Sequence, residues 1–204
     1  MFTASVRRWL QPAAGRSAWC LSGLWLALAL WLVLGASLAR AEGIDLGALD
    51  LSRSEDGLLL GYTASVELPR AVEDALQKGV PLHFVAQAEV FRSRWYWRDK
   101  RVARATRNWR LTWQPLTRRY RVNFGSLSQS YDTLSDALGA VQRANRWKLA
   151  EPGDLEDGAG QYLEFSLRLD TSQLPRPLQI SFGGQADWEL AVERRVSVPE
   201  AQPR

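Results

Sequence analysis

The sequence predicts a mainly β, α+β fold: an antiparallel β-sandwich or curled sheet with two short helices at its edges, behind an N-terminal signal helix. Three observations carry this. Seven or so segments alternate apolar and polar residues with the period of two that a half-buried strand requires. The connections between them are of hairpin length, which joins antiparallel neighbours. Only two segments, opening near Pro69 and Thr133, repeat with helical spacing.

The 204 residues suit one domain once targeting sequence is set aside. Arg7, Arg8 and Arg16 form a positive region, Leu21–Leu38 is an uncharged apolar run, and Ala39-Arg40-Ala41 is a small-x-small cleavage signal. This is the layout of a secretory signal peptide cut after Ala41. The uncharged interval 17–39 is also long enough to span a bilayer, where about 20 residues suffice, so a retained signal anchor is the alternative. The expected division is therefore 1–41 signal, 42–198 a single β-rich domain and 199–204 a tail. The expected address is the periplasm, or the inner membrane if the signal stays attached.

Removing residues 1–41 alters the charge argument. They carry four arginines and no acid, so the whole-chain net charge of +4 falls to zero in the mature domain. The basic pI is thus no argument for nucleic acid, and none is expected as a partner of an exported chain. The single cysteine, Cys20, lies in the signal. The mature domain has to stand on its hydrophobic core without disulfides.

Taken in order, Glu42–Gly57 is an acidic lead-in whose apolar pieces allow a first strand. Leu58–Leu68 alternates, with Leu58, Leu60, Tyr62, Ala64 and Val66 on one face. Pro69 is expected at the first helical position, where its missing N–H has no partner to lose, and Gly79 at the helix end. Leu82–Trp97 reads as a long strand with Leu82, Phe84, Ala86, Ala88 and Val90 inward. Its parity then flips, which points to a β-bulge near Val90-Phe91 or to a strand covered on both faces. Arg98–Arg107 is expected to connect to a strand at Arg107–Gln114. Pro115-Leu116-Thr117 turns into Arg118–Phe124, with Tyr120, Val122 and Phe124 inward.

Gly125–Tyr131 is a Ser-rich lead into the second helix, opened by Thr133 and Asp136 as a capping box and ended near Asn145. Trp147-Lys148-Leu149 is a short edge strand and Glu151–Gly160 an acidic loop. Tyr162–Asp170 alternates, with Leu163, Phe165, Leu167 and Leu169 inward. Thr171–Pro177 turns, and Ile180–Val198 holds a last strand or pair.

Several strings, in order, resemble one family: Gly79-Val80-Pro81-Leu82; Arg94-Trp95-Tyr96-Trp97; Leu116 through Val122; Tyr131-Asp132-Thr133-Leu134 with Ala137-Leu138; Leu169-Asp170-Thr171-Ser172-Gln173-Leu174-Pro175-Arg176-Pro177; and Asp187-Trp188. The chain is similar over Ile44–Val198 to the domain-of-unknown-function family numbered 4390, exported proteins of proteobacteria. The resemblance implies an exported domain and supplies no catalytic residues. The family's genes often neighbour those of a membrane sensor kinase of nitrogen-regulation type, which implies a context of envelope sensing.

Little in the chain points to catalysis. His83 is the only histidine, on the polar parity of a strand, where an ordinary edge histidine is expected. The absence of mature cysteine excludes thiol catalysis and thiolate metal sites. Neither a cofactor nor a metal is expected, and Gly183-Gly184 is no phosphate loop. Paired carboxylates acting on envelope glycan need two acids facing one cleft. The acidic loop at Asp154-Leu155-Glu156-Asp157 is expected to be solvated, and Asp170-Thr171-Ser172-Gln173 to be a turn built by side-chain bonds to backbone.

The strong surface signal is Phe91–Phe124. Between Val90 and Arg121 stand eleven basic residues and one acid, Asp99. Arg92, Arg94, Arg110, Arg119 and Arg121 are expected to point outward, with Trp95 and Trp97 as aromatic neighbours. Of Trp95, Tyr96 and Trp97, at least one tryptophan is expected in the core, and the others suit either the core or a membrane-interface belt. Like charges opposite one another destabilise a sheet. Either acidic neighbouring strands carrying Glu164, Asp170, Asp187, Glu189 and Glu193 offset the arginines, or an anionic partner does. Arginine suits phosphate and carboxylate through its planar fork. The sequence therefore predicts an exported, non-catalytic binding or accessory domain whose partner is an envelope protein or an anionic lipid.

Overall fold

The computed structural model describes residues 43–96, 98–155, 160–174 and 186–199. Residues 1–42 and 200–204, Trp97, Glu156 to Ala159 and residues 175–185, with Gly183-Gly184 and the prolines at 175 and 177, lie outside the described residues. No helix among the described residues is long and apolar enough to cross a membrane.

Alternation along each strand builds two sheets. Strands β1 (Gly43–Ser54) and β2 (Gly57–Glu67) form a hairpin, and β7 (Arg143–Ala150) joins the far side of β2. This gives a three-stranded sheet in the order β1-β2-β7. The larger sheet runs β6-β5-β4-β3-β8-β9. Its strands are β3 (Leu82–Arg92), β4 (Lys100–Gln114), β5 (Arg119–Phe124), β6 (Leu127–Tyr131), β8 (Gln161–Leu169) and β9 (Ala191–Ser197). Every pairing is antiparallel. The expected mainly β sandwich with two short helices is what forms.

The core lies between the sheets. From the large sheet come Leu82, Phe84, Ala86, Ala88 and Val90, with Leu163, Phe165, Leu167 and Leu169, Trp109 and Leu111, Tyr120 and Val122. From the small sheet come Leu58, Leu60, Tyr62, Val66, Ala144, Trp147 and Leu149. β7 packs over β4 and β3, and β1 lies beside β9. The rings of Tyr62 and Phe165 meet across the two sheets, their centroids 4.9 Å apart, with small Ala88 in register beside Phe165 on β3.

The helices close the core's open ends. Helix α1 (Arg70–Gln77) buries Val72, Ala75 and Leu76. Pro69 stands one position earlier than predicted, at the N-cap, where its carbonyl accepts from Val72 and Glu73. Gly79 takes φ +91° and, with Val80, donates back to Leu76 and Ala75. That is a Schellman stop, which needs a residue without Cβ strain. Helix α2 (Leu134–Gln142) packs against β2, β5 and β6. Its Thr133 Oγ1 accepts from Asp136 N at 3.1 Å, the expected cap. Tyr62 Oη reaches the Val141 carbonyl at 2.9 Å. This bond supplies a partner for one carbonyl of the helix's last turn, which lacks one within the helix.

One expectation is extended and four are corrected. The lead-in is a full twelve-residue strand, β1. β3 ends at Arg92 and β4 begins at Lys100, so the connection is 93–99 and not Arg98–Arg107. The bulge does fall at Val90/Phe91, but the extra residue is Val102 on β4. Phe91 keeps the outward parity and stacks on Tyr162, with centroids 5.5 Å apart. The Ser-rich stretch is strand β6, paired to β5 through a Gly125-Ser126 turn. Its side chains from Leu127 to Ser130 are all exposed, so no hydrophobic alternation marks it. The second helix ends at Gln142, and β7 starts at once.

Candidate functional site

The inner face of the large sheet is covered, and the outer face is left to water. On β3 the outward residues are His83, Val85, Gln87, Glu89 and Phe91; on β8 they are Tyr162, Glu164, Ser166 and Arg168. β4 and β5 add Arg104, Thr106, Asn108, Arg110, Thr112, Asn123, Arg121 and Arg119. None of these side chains is buried. A broad polar platform with rigid backbone is the result.

Register sorts its charges. Arg104, Glu89, Glu164 and Arg195 form one row across β4, β3, β8 and β9. Two carboxylates thus stand directly opposite, an arrangement that is destabilising by itself. Arginine offsets each: Glu89 takes Arg101 at 3.0 Å and Arg104 at 3.4 Å. Glu164 takes Arg195, whose Nε lies 3.1 Å from Oε1 and whose guanidinium lies 4.1 Å over the Tyr162 ring. Glu193 and Ser166 join them in lining an open groove of about 360 Å³. Of the acids in this groove, Glu89 and Glu164 are therefore engaged as ion pairs. Among the described residues no group of three or more His, Cys, Asp or Glu is placed to hold a metal ion.

The basic set divides. Arg110 and Arg121 are exposed on the outer face, diagonal across β4 and β5. Arg119 follows on the same parity, with Nε 2.8 Å from Asp132 Oδ1. Arg92 has the inward parity, correcting the expected outward one: it alternates from Val90 and pairs in register with buried Gln161. Arg94 and Trp95 are in the 93–99 connection, past the strand. Arg110 stands nine positions after Arg101 on β4, about 30 Å at roughly 3.3 Å per residue. The predicted residues therefore make two sites at opposite ends of β4. Trp95 is 94% exposed and Tyr96 67%, so neither fills the core; Trp97 lies outside the described residues.

The acidic strands do not neutralise Arg110 or Arg121. Glu164 is held by β9, and the hairpin's own Glu89 holds Arg101 and Arg104. Among the described residues no carboxylate forms an ion pair with Arg110 or Arg121. His83 pairs in register with Arg110. Burial first, and the Arg110 charge second, hold its pKa below the ordinary value, while Asp170 pulls the other way. Arg110→Ala is expected to raise the His83 midpoint in an NMR titration; an unchanged midpoint would separate the two side chains.

Asp170 behaves as the predicted turn residue. Its Oδ1 accepts from Ser172 N at 3.1 Å and Ser172 Oγ at 2.6 Å. Burial raises its pKa, but these bonds outweigh it and leave the carboxyl below its usual range. Two features escaped the sequence reading. One is the facing pair Glu89 and Glu164, which only register reveals. The other is Arg107, inward on β4 and lying 4.8 Å over the Trp147 ring of β7 and 5.6 Å over Phe124. That stack joins the sheets through a cation on an aromatic face, and burial lowers the arginine's pKa. An arginine at an inward position of an alternating strand was the available signal.

No curated protein and no solved structure gives a significant match to the chain. A family profile described as a domain of unknown function (DUF4390) matches residues 41–197. That span takes in every strand and both helices of the described residues, so the β-sandwich with the open arginine-bearing face is a member of the DUF4390 family.

Proposed function

We propose that this chain is an exported, non-catalytic binding module of the periplasm that engages an acidic envelope protein through Arg110, Arg121 and Arg119. The observation that carries the reading is the exposure of Arg110 and Arg121 on the outer face with no ion pair among the described residues. They project from β4 and β5 as diagonal neighbours across the ladder. A rigid sheet holding two guanidinium groups in fixed geometry suits bidentate recognition of carboxylates. The Arg119–Asp132 pair is exposed and contributes little stability, so a partner carboxylate can replace Asp132 at low cost. The envelope address rests on the signal-like N-terminus, and the accessory role in sensing rests on the family's genomic setting.

The test compares the wild-type protein with R110E/R121E, using R168E on the same face as the control. Each is used as bait in envelope extract under crosslinking, with recovery followed against salt. Partner recovery should fall at least tenfold for the double variant, remain with the control, and weaken as salt rises. Equal recovery by all three baits overturns the proposal.

A further inference from the structure

The β3–β4 connection presents apolar surface where a water-soluble loop has no use for it. Trp95 and Tyr96 are 94% and 67% exposed and pack edge to face, with centroids 5.1 Å apart, as a single aromatic tip. The loop beneath them is braced. Ser93 N donates to the Gly160 carbonyl at 2.9 Å. Asp99 Oδ1 accepts from Arg94 N at 3.2 Å, and Asp99 Oδ2 from Tyr162 Oη at 2.6 Å. These bonds hold the tip away from the body of the sheet. They also turn the only acid of the segment back toward β8, leaving Arg98 and Lys100 exposed and without an ion-pair partner among the described residues.

We propose that Trp95 and Tyr96 form a membrane-interface anchor that docks an anionic phospholipid surface, with Arg94, Arg98 and Lys100 as its basic collar. Indole and phenol rings prefer the headgroup level, where the apolar body is buried and the polar tip stays wet. Cationic side chains around them add attraction to an anionic leaflet. Two side chains on a narrow loop fall far short of the roughly 800 Å² per partner that a stable protein interface buries, whereas a lipid surface asks only for insertion. The anchor lies about 30 Å along β4 from Arg110, at roughly 3.3 Å per residue, and is independent of the partner proposed for Arg110 and Arg121.

The experiment uses the full chain with Cys20→Ser and one environment-sensitive fluorophore. The label goes on Ser93→Cys beside the tip or on Leu116→Cys in the turn at the other end of β4, which is fully exposed. With phosphatidylglycerol vesicles the Ser93→Cys label should shift to the blue and be quenched by brominated lipid, while the Leu116→Cys label stays aqueous. W95A/Y96A removes only exposed side chains and should cut the quenching at least fivefold. Phosphatidylcholine vesicles, or R98E/K100E, should weaken the response severalfold, and R110E/R121E should leave it unchanged. An aqueous Ser93→Cys signal on anionic vesicles overturns the proposal, as does equal quenching at both labels or on both lipids. A concentration-dependent shift without lipid assigns the tip to a second copy of the chain and also overturns it.

Discussion

Gly57→Ala is expected to destabilise the domain by about 3–5 kcal/mol, combining backbone strain with overpacking. Gly57 opens β2 in a buried position with φ +110°, a conformation that a residue bearing Cβ rarely adopts. A Cβ built there would lie 2.1 Å from the Ala150 carbonyl oxygen. That oxygen belongs to backbone at the first rung of the β2–β7 ladder, where Ala150 pairs with Leu58. No rotamer change relieves the contact; β7 has to move away from β2. Since domains hold only about 5–15 kcal/mol in total, the variant is expected to unfold at much lower denaturant. Guanidinium titration should show a lower midpoint with the slope kept. A loss below about 1 kcal/mol would mean that β7 is not fixed at this rung.

Phe165→Ala should have a comparable effect, about 3–5 kcal/mol, through lost burial and a residual cavity. Phe165 is 1% exposed at the middle of β8. Its in-register neighbour on β3 is Ala88, and its ring contact across the core is Tyr62. With alanine beside it on β3, no large side chain is in place to refill the space. Phe165→Leu, which keeps most of the volume, should cost less than half as much. Equal midpoints for the alanine and leucine variants in the same titration would show that the sheets can close over the gap.

The strands with one wet face were legible because burial writes a period of two into the sequence, as in Leu82 to Val90 and Leu163 to Leu169. β6 was not, since an edge strand of Leu-Ser-Gln-Ser-Tyr buries almost nothing and is held by backbone bonds to β5. The start of β4 was lost for a related reason. From Lys100 to Thr106 the inward side chains, Val102, Ala103 and Ala105, are only half-buried, and exposed Lys100, Arg101 and Arg104 break the apolar alternation, so charge hid the strand. The arginine cluster could be read, but its division could not. Whether Arg92 faces in or out depends on where β3 ends and where the bulge puts its extra residue. Whether Glu164 meets Arg195 or the hairpin's arginines depends on which strand flanks β8. Both are facts of pairing, and no local pattern encodes them.

The placement of β7 bears on how the chain reaches this state. β1 and β2 pair through a tight turn and can meet as soon as they are made. β2 finds its other neighbour only after β3 through β6 and α2 have passed, because Leu58 waits for Ala150 and Thr63 for Arg143. Closing a loop of that length costs entropy before any contact repays it, which slows folding. Until then Leu58, Leu60 and Tyr62 show an apolar face with an unpaired edge, the features that favour aggregation. The time between synthesis of β2 and arrival of β7 is therefore the interval in which this chain most needs protection by a chaperone.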